Sequence, residues 1–291
     1  MVVPFASGGP TDILARSVGA RLSEVWGQQM VIDNRAGAAG NIGAEMVAKA
    51  APDGYTLLTA SSGILTVNPN LFRKLPYDVL RDFAPVTMAT SVTNIMVVHP
   101  ALPAKSVREL LDIARQRPGQ LSYASSGMGS ASHLSMELLK SMAAIDVAHI
   151  PYKGAHPGVV DLVAGQVQVM LIGLPVALPH VRTGRLRALA VANKSVALPN
   201  MPTIAESGLP EYRVSSSWYG LFLAAGTPDP IEKRWFDEVI PILNAADTKN
   251  IMTGMVVVAA QSASPQEAQT FLQSEIESWG QTIKATRVEV R

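Results

Sequence analysis

Short apolar runs alternate with amphipathic stretches along the whole chain. Clusters of β-branched and aliphatic residues at Val2-Val3, Met30 to Asp33, Thr56 to Ala60, Asn94 to His99, Leu121 to Ala124, Val147 to Ile150, Val167 to Ile172, Leu186 to Ala192 and Tyr219 to Leu223 read as strands. Between them, apolar residues recur at three- and four-residue spacing. From Asp12 to Trp26, Leu14, Val18, Leu22 and Val25 form one stripe and Arg16, Arg21 and Glu24 another, which predicts a helix packed on a sheet. Ser106-Val107-Arg108-Glu109 and Ser264-Pro265-Gln266-Glu267 fit capping boxes and mark two further helix starts. Strand–helix alternation from end to end predicts an α/β protein with mainly parallel sheets.

Pro- and Gly-rich punctuation at Pro100 to Pro103 and at Ala224 to Pro230 brackets a middle segment with strands and helices of its own. The division expected is one domain inserted into another: lobe 1 from residues 1–100 plus 220–291, lobe 2 from 101–219, with two crossings as hinge. A length of 291 residues agrees, since one core rarely grows past about 250–300 residues. Apolar residues at 48% and charged residues at 16% give ample core and describe an ordered globular chain. Lys and Arg total 24 against 23 Asp and Glu, with no block of either sign, so no nucleic-acid partner is expected. The chain has no cysteine, which removes disulfides, thiolate zinc sites and cysteine nucleophiles. The most apolar region, Leu162 to Leu178, is interrupted by Gln166, Gln168 and Pro175, so no membrane-spanning helix is expected. The chain opens at Met1-Val2-Val3-Pro4 without a basic segment or apolar signal core, and reads as beginning inside a strand, with any targeting segment outside this sequence.

Candidate chemistry begins at Val3 to Asp12, where a strand ends, Gly8-Gly9 turns the chain, and a helix starts near Thr11 or Asp12. Such a turn can hold an anion on backbone N–H groups at a helix N-terminus, or can be a tight turn with Asp12 as a cap. The same arrangement recurs at Thr59-Ala60-Ser61-Ser62-Gly63 and at Tyr123 to Ser132, and three strand ends carrying small, hydroxyl-rich loops favour an anion pocket. Other motifs fail. There is no P-loop, Gly127 and Gly129 lack the third glycine of a dinucleotide fingerprint because Ser132 stands in its place, and Tyr123 occupies the position where a Gly-x-Ser-x-Gly elbow around Ser125 needs glycine. The five histidines, His99, His133, His149, His156 and His180, show no metal-ligand spacing, and His133 with Glu137 reads as an ordinary side-chain pair one helical turn apart. Trp218-Tyr219 either lines a cleft or anchors the strand that carries it, and the second reading is favoured.

With these loops in place, the chain resembles the Bug family of extracytoplasmic solute receptors, the binding components associated with tripartite tricarboxylate transporters. The resemblance runs essentially the whole length and is carried by residues 3–16 (Val3 to Arg16), Asn34 to Gly43, Ala51 to Leu58, Lys74 to Asp78, Asp82 to Val86, Tyr123 to Gly127, Ile150 to Gly154 and Met201 to Pro210. It implies a type II periplasmic-binding-protein fold, two α/β lobes joined by a two-crossing hinge, with a carboxylate enclosed and held by N–H groups, hydroxyls and waters. Carried over by position, it implies contacts from Phe5, Ala6, Gly8, Gly9, Thr11, Asp12, Ser61, Ser62 and Gly63 in lobe 1. Lobe 2 would add Ser125, Ser126, Gly127, Gly129 and Ser130, with Tyr152, Lys153 and Gly154 nearby; Lys153 reads either as an ion-pair partner or as part of a hinge turn. One departure stands at Leu171-Ile172-Gly173-Leu174-Pro175, where the family usually carries an Asp-Asn-like pair, so Gly173 would border a differently shaped ligand tail.

The reading is a non-enzymatic periplasmic receptor, monomeric, with no metal or organic cofactor, that captures a small organic anion and presents it to the membrane components of a transporter or to a sensor kinase. The rival is a serine-dependent hydrolase or acyl-transfer enzyme using Ser61 or Ser125 with His133, for which the sequence supplies no base at a telling spacing.

Overall fold

The computed structural model describes residues 1–128, 130–152, 154–195, 197–212, 217–254 and 258–286. Its strands are β1 (Val2–Val3), β2 (Asp33–Asn34), β3 (Leu57–Ser61), β4 (Phe83–Val92), β5 (Asn94–Val98), β6 (Ser122–Ser125), β7 (Ala148–Pro151), β8 (Val169–Gly173), β9 (Arg187–Val191), β10 (Ser217–Ala224) and β11 (Val258–Ala259). Its helices are α1 (Pro10–Trp26), α2 (Asn41–Ala48), α3 (Asn68–Leu71), α4 (Val79–Asp82), α5 (Val107–Gln116), α6 (Ala131–Ala143), α7 (Ala155–Val163), α8 (Leu174–Arg182), α9 (Asp229–Asn244), α10 (Ala246–Gly254) and α11 (Pro265–Thr286).

The chain forms two compact units. The first comprises Met1–Ser91 and Trp218–Trp279, the second Val92–Ser217 and Gly280–Arg291. The change of unit therefore comes between Ser91 and Val92, where the sequence placed it near residue 100, because β5 pairs in the second sheet. A third crossing, between Trp279 and Gly280, falls inside α11, where the sequence reading counted two.

The first unit holds a six-stranded sheet in the order β11-β4-β10-β3-β1-β2. The second holds five strands in the order β7-β6-β8-β5-β9. Neither is mainly parallel. β1 runs parallel to β2 and β3, and β6 parallel to β7 and β8, but β10 is antiparallel to β3 and β5 antiparallel to both β8 and β9. Parallel pairing requires a crossover of a dozen or more residues, usually a helix. β5 follows β4 after Thr93 alone, and β10 enters from the other unit, so neither strand inherits that constraint.

Most predicted strands form within a residue or two of their expected ends, one does not, and β4 forms where no strand was expected. The Met30 to Asp33 run contributes only Asp33-Asn34 to the ladder, with Val31 exposed. β4, ten residues long and mostly buried, falls in a stretch that Pro85, Thr and Ser disguise as loop. Helix α1 buries Leu14, Val18 and Leu22 as predicted, but Val25 is 61% exposed. The contact at that end of the helix is made by Trp26, edge-on to Trp235 of α9. Both capping boxes form: Ser106 accepts from the Glu109 N–H and Ser264 from that of Glu267, while the two glutamates accept from the N–H groups of Lys105 and Ala263.

The Asn34 to Gly43 segment seats α2 against the first loop. A Cβ on Gly43 would lie 2.8 Å from Pro4 Cβ and 2.9 Å from Pro4 Cα, so only glycine allows this approach. Gly43→Ala forces α2 off the β1–α1 loop, and we expect a loss of about 1–3 kcal/mol, read as a lower urea midpoint at unchanged m-value.

Candidate functional site

The first unit gathers its candidate loops at the C-terminal ends of adjacent parallel strands. β1 ends at Val3, the chain turns through Phe5 to Gly9, and α1 begins at Pro10. Gly8 takes φ +87°, a conformation glycine adopts freely. Gly9 is the N-cap and offers no side chain, and Pro10 carries no N–H, so the first turn of α1 has no side-chain cap. The positive end of the helix is thereby left for something other than the protein's own cap.

Asp12 holds this turn in place. It is 2% exposed; Oδ2 accepts from the Gly8 N–H at 2.9 Å and from Arg16 Nε at 2.8 Å, and Oδ1 accepts from Asn34 Nδ2 at 2.9 Å. Asn34 Nδ2 also reaches the Phe5 carbonyl at 3.0 Å, and Arg16 donates to Asn34 Oδ1 at 3.2 Å. Burial would raise the carboxyl pKa, but the hydrogen bonds from Arg16, Gly8 and Asn34 outweigh it and bring it to about 2. Asp12 is thus a fixed carboxylate that braces the loop. Phe5 packs against the core cluster of Leu58, Ala60 and Ile64, which gives its ring a structural job as well.

At the end of β3, Ser61, Ser62 and Gly63 lead into a wide helical turn over Gly63–Val67. Thr11 is 3% exposed and Ser62 2%, and Ser61 is half-buried. Among the described residues the hydroxyls of all three have no hydrogen-bond partner. None of the three oxygens is closed off from solvent, so beside one uncapped helix end the chain offers three hydroxyls whose hydrogen-bonding capacity the described residues leave open.

The second unit treats its hydroxyls differently. Ser125, fully buried at the end of β6, accepts from the Gly127 N–H at 3.1 Å and lies 2.6 Å from His149 Nε2. Ser132 Oγ accepts from the Ser126 N–H at 3.0 Å, and Ser130 caps α6 by accepting from the His133 N–H at 3.3 Å while donating to the Gly127 carbonyl at 2.7 Å. Tyr152 and Gly154 donate backbone N–H groups to the carbonyls of Ser125 and Ser126, both at 3.1 Å, and the Tyr152 hydroxyl donates to Asp161 at 2.7 Å. Gly173 caps the N-terminus of α8 at the end of β8, next to β6, again with no side-chain cap. Gly129 and Lys153 lie outside the described residues.

The histidine at Ser125 is His149, and this corrects the pairing with His133 that the sequence proposed. β6 and β7 pair in parallel with Tyr123 opposite His149, a register that no spacing in the sequence announces. The His149 ring stacks on Tyr123 at 4.7 Å and on His133 at 4.1 Å. Burial, then the neighbouring His133, depress the His149 pKa to about 4. Glu137 accepts from the Tyr123 hydroxyl at 2.6 Å and from Lys140 at 2.7 Å; burial opposes ionisation, but these partners hold its pKa below the usual value.

A family model described as "Tripartite tricarboxylate transporter family receptor" matches residues 14–288. Protein BugT of Bordetella pertussis is 38% identical over 301 residues, an alignment that spans 100% of this chain and 90% of BugT. Among solved structures, R. palustris Rpa4515 with adipate superposes with a TM-score of 0.90 at 39% identity, covering 99% of this chain and 96% of that one. The periplasmic binding protein BugD superposes with a TM-score of 0.87 at 30% identity, covering 100% and 98%. The fold is that of the periplasmic binding proteins, as the sequence reading expected.

The Asp12 brace has a pH signature. A carboxyl whose pKa is lowered by folding adds stability above its unfolded value near 3.8, and that stability is lost as pH falls through about 2. Thermal melts from pH 6 to pH 2 should show this acid limb, and Asp12→Asn should flatten it. The amplitude is at most about 2 kcal/mol, because Arg16 is half-exposed and its share is screened by solvent.

Proposed function

The chain belongs to the tripartite tricarboxylate transporter receptor family, and on that premise we propose that it captures a small organic anion bearing one or more carboxylates outside the cytoplasmic membrane and presents it to the membrane components of such a transporter. One observation carries the reading: the uncapped N-terminus of α1 stands beside the unpartnered hydroxyls of Thr11, Ser61 and Ser62. Charge-assisted hydrogen bonds from N–H and O–H donors to a carboxylate are about twice as strong as neutral ones. The Arg16 guanidinium, on the helix that follows this loop, is committed to Asp12 and Asn34, so recognition there rests on neutral donors and the helix dipole. The adipate bound to Rpa4515, a relative of similar fold, fits a dicarboxylate. In this reading Ser126, Gly127, Ser130, Gly154 and Gly173 are the anion-contact residues of the second unit, and binding shifts the population towards the liganded form that a permease recognises.

Ser125 with His149 is the observation that would favour a hydrolase. Against a nucleophilic role, Ser125 is wholly buried and its Oγ already receives the Gly127 N–H, so we read the pair as a brace for the β6–α6 loop. A fluorophosphonate probe should label no serine; stoichiometric labelling of Ser125 would replace the receptor reading with an enzymatic one.

The binding test is thermal unfolding of protein refolded free of ligand, against mono-, di- and tricarboxylates, acidic amino acids and aromatic acids. Ligand at about 100 times its Kd adds roughly 2.7 kcal/mol, a shift of several degrees. Gly9→Leu should abolish the shift without unfolding the protein, since a Cβ there meets nothing closer than the Ala6 carbonyl at 3.9 Å. A shift retained by Gly9→Leu would remove the α1 N-terminus from the site.

A further inference from the structure

Tyr219 lies on β10 directly opposite Ser61, the last residue of β3, in an antiparallel register. Residues opposite each other in such a pair project to the same face, so Tyr219 shares a side of the sheet with Ser61, and alternation places Leu221 and Thr59 there too. Trp218, Gly220 and Phe222 take the other side. That side holds the core cluster of Trp218, Phe222, Leu58 and Ala60 with Ala44 and Val47 of α2.

The strand order fixes what covers the Tyr219 side. The chain moves from β1 through α1 outward to β2, then through α2 back past β1 to β3, and right-handed crossovers in opposite directions put α1 and α2 on opposite faces. Since α2 lies with the Trp218 cluster, α1 lies on the face of Tyr219 and Ser61. Both residues sit at the end of the sheet where β3 finishes, the end from which α1 starts.

Trp218 already anchors this strand: its indole N–H donates to Glu275 at 3.1 Å and its ring packs on Phe222 and Phe271. Tyr219 has no such employment. Its hydroxyl makes no hydrogen bond among the described residues, and partial desolvation beside the sheet raises its pKa to about 12. It is a half-buried phenol that stays protonated throughout the physiological range, and its hydroxyl, with no protein partner among the described residues and not closed off from solvent, is free to donate to an acceptor brought in from outside.

We propose that Tyr219 is a ligand-contact residue, its hydroxyl donating to the carboxylate held by the α1 N-terminus, Thr11 and Ser61. This rests on the receptor reading above and adds to it a side chain from outside the loops. It also assigns the two neighbouring aromatics opposite tasks, Trp218 to the core and Tyr219 to the anion.

Tyr219→Phe removes one oxygen and leaves the ring. Titration calorimetry of wild type and variant with adipate, malate, succinate and citrate, each refolded free of ligand, is the test, with thermal melts of both unliganded proteins alongside. We expect the tightest of these acids to bind Tyr219→Phe at least about tenfold more weakly, the loss of one hydrogen bond to a charged group. The unliganded variant should melt at the wild-type temperature or above, because no protein hydrogen bond is lost. Wild-type affinity retained in the variant would overturn the assignment of Tyr219 and leave the receptor reading standing. A weaker affinity accompanied by a matching drop in unliganded melting temperature would overturn it too, by making the hydroxyl structural. Wild type binding none of the four acids would remove the carboxylate reading and Tyr219's role with it.

Discussion

The first unit depends on a single buried carboxylate. Asp12 gathers the Gly8 N–H, the Arg16 guanidinium and the Asn34 amide onto two oxygens, and Asn34 in turn holds the Phe5 carbonyl. Three consequences follow from this arrangement. The Gly8-Gly9 turn is fixed without a side chain at the helix cap, so the positive end of α1 stays uncovered. The negative charge that would repel an anion is neutralised inside the loop. Arg16, a cation on the helix that follows the loop, is spent on the scaffold. What remains is a set of neutral donors; under the function proposed above, these hold a carboxylate without a salt bridge and leave selectivity to shape and to the number of hydroxyls engaged.

The second unit solves the same problem with the roles reversed. Its loop hydroxyls are the scaffold: Ser125, Ser130 and Ser132 hold the backbone of Ser126, Gly127 and His133, and the stack of Tyr123, His149 and His133 backs Ser125. His149, kept neutral by burial, stands 2.6 Å from a Ser125 hydroxyl that also reaches the Gly127 carbonyl at 3.1 Å, so the loop is braced without a charge beside it. One loop is tied by a carboxylate and leaves its hydroxyls free. The other is tied by its hydroxyls.

Much of this was legible in the residues, and the unread parts share a cause. Local signals succeeded where the physics is local: the capping boxes, the α1 stripe from Leu14 to Leu22, the glycine turn before Thr11, and the strands that end in small hydroxylated loops. Motifs quoted for resemblance acquired physical reasons, such as Gly43 allowing α2 to touch Pro4 and Asn34 bridging Asp12 to Phe5. Pairings between distant segments stayed hidden. Tyr123 opposite His149 and Tyr219 opposite Ser61 are facts of sheet register, and register is set by the whole fold. The antiparallel direction of β5 and β10 was hidden for a related reason, because it follows from which unit a strand enters.

Position and availability are separate properties of a site residue, and the sequence speaks to only one of them. Thr11, Asp12, Ser61 and Ser125 all stand in glycine- and serine-rich loops at strand ends, and their residue types fit an anion pocket equally well. Asp12 and Ser125 turn out to have their capacity filled by the protein, while Thr11 and Ser61 do not. A hydroxyl that the fold leaves without a partner keeps its capacity for something outside the chain, and that open capacity beside an uncapped helix end is what the proposed function uses. The same reasoning separates Trp218 from Tyr219 on one strand, one residue apart, where composition and neighbourhood are shared and only the hydrogen-bond account differs.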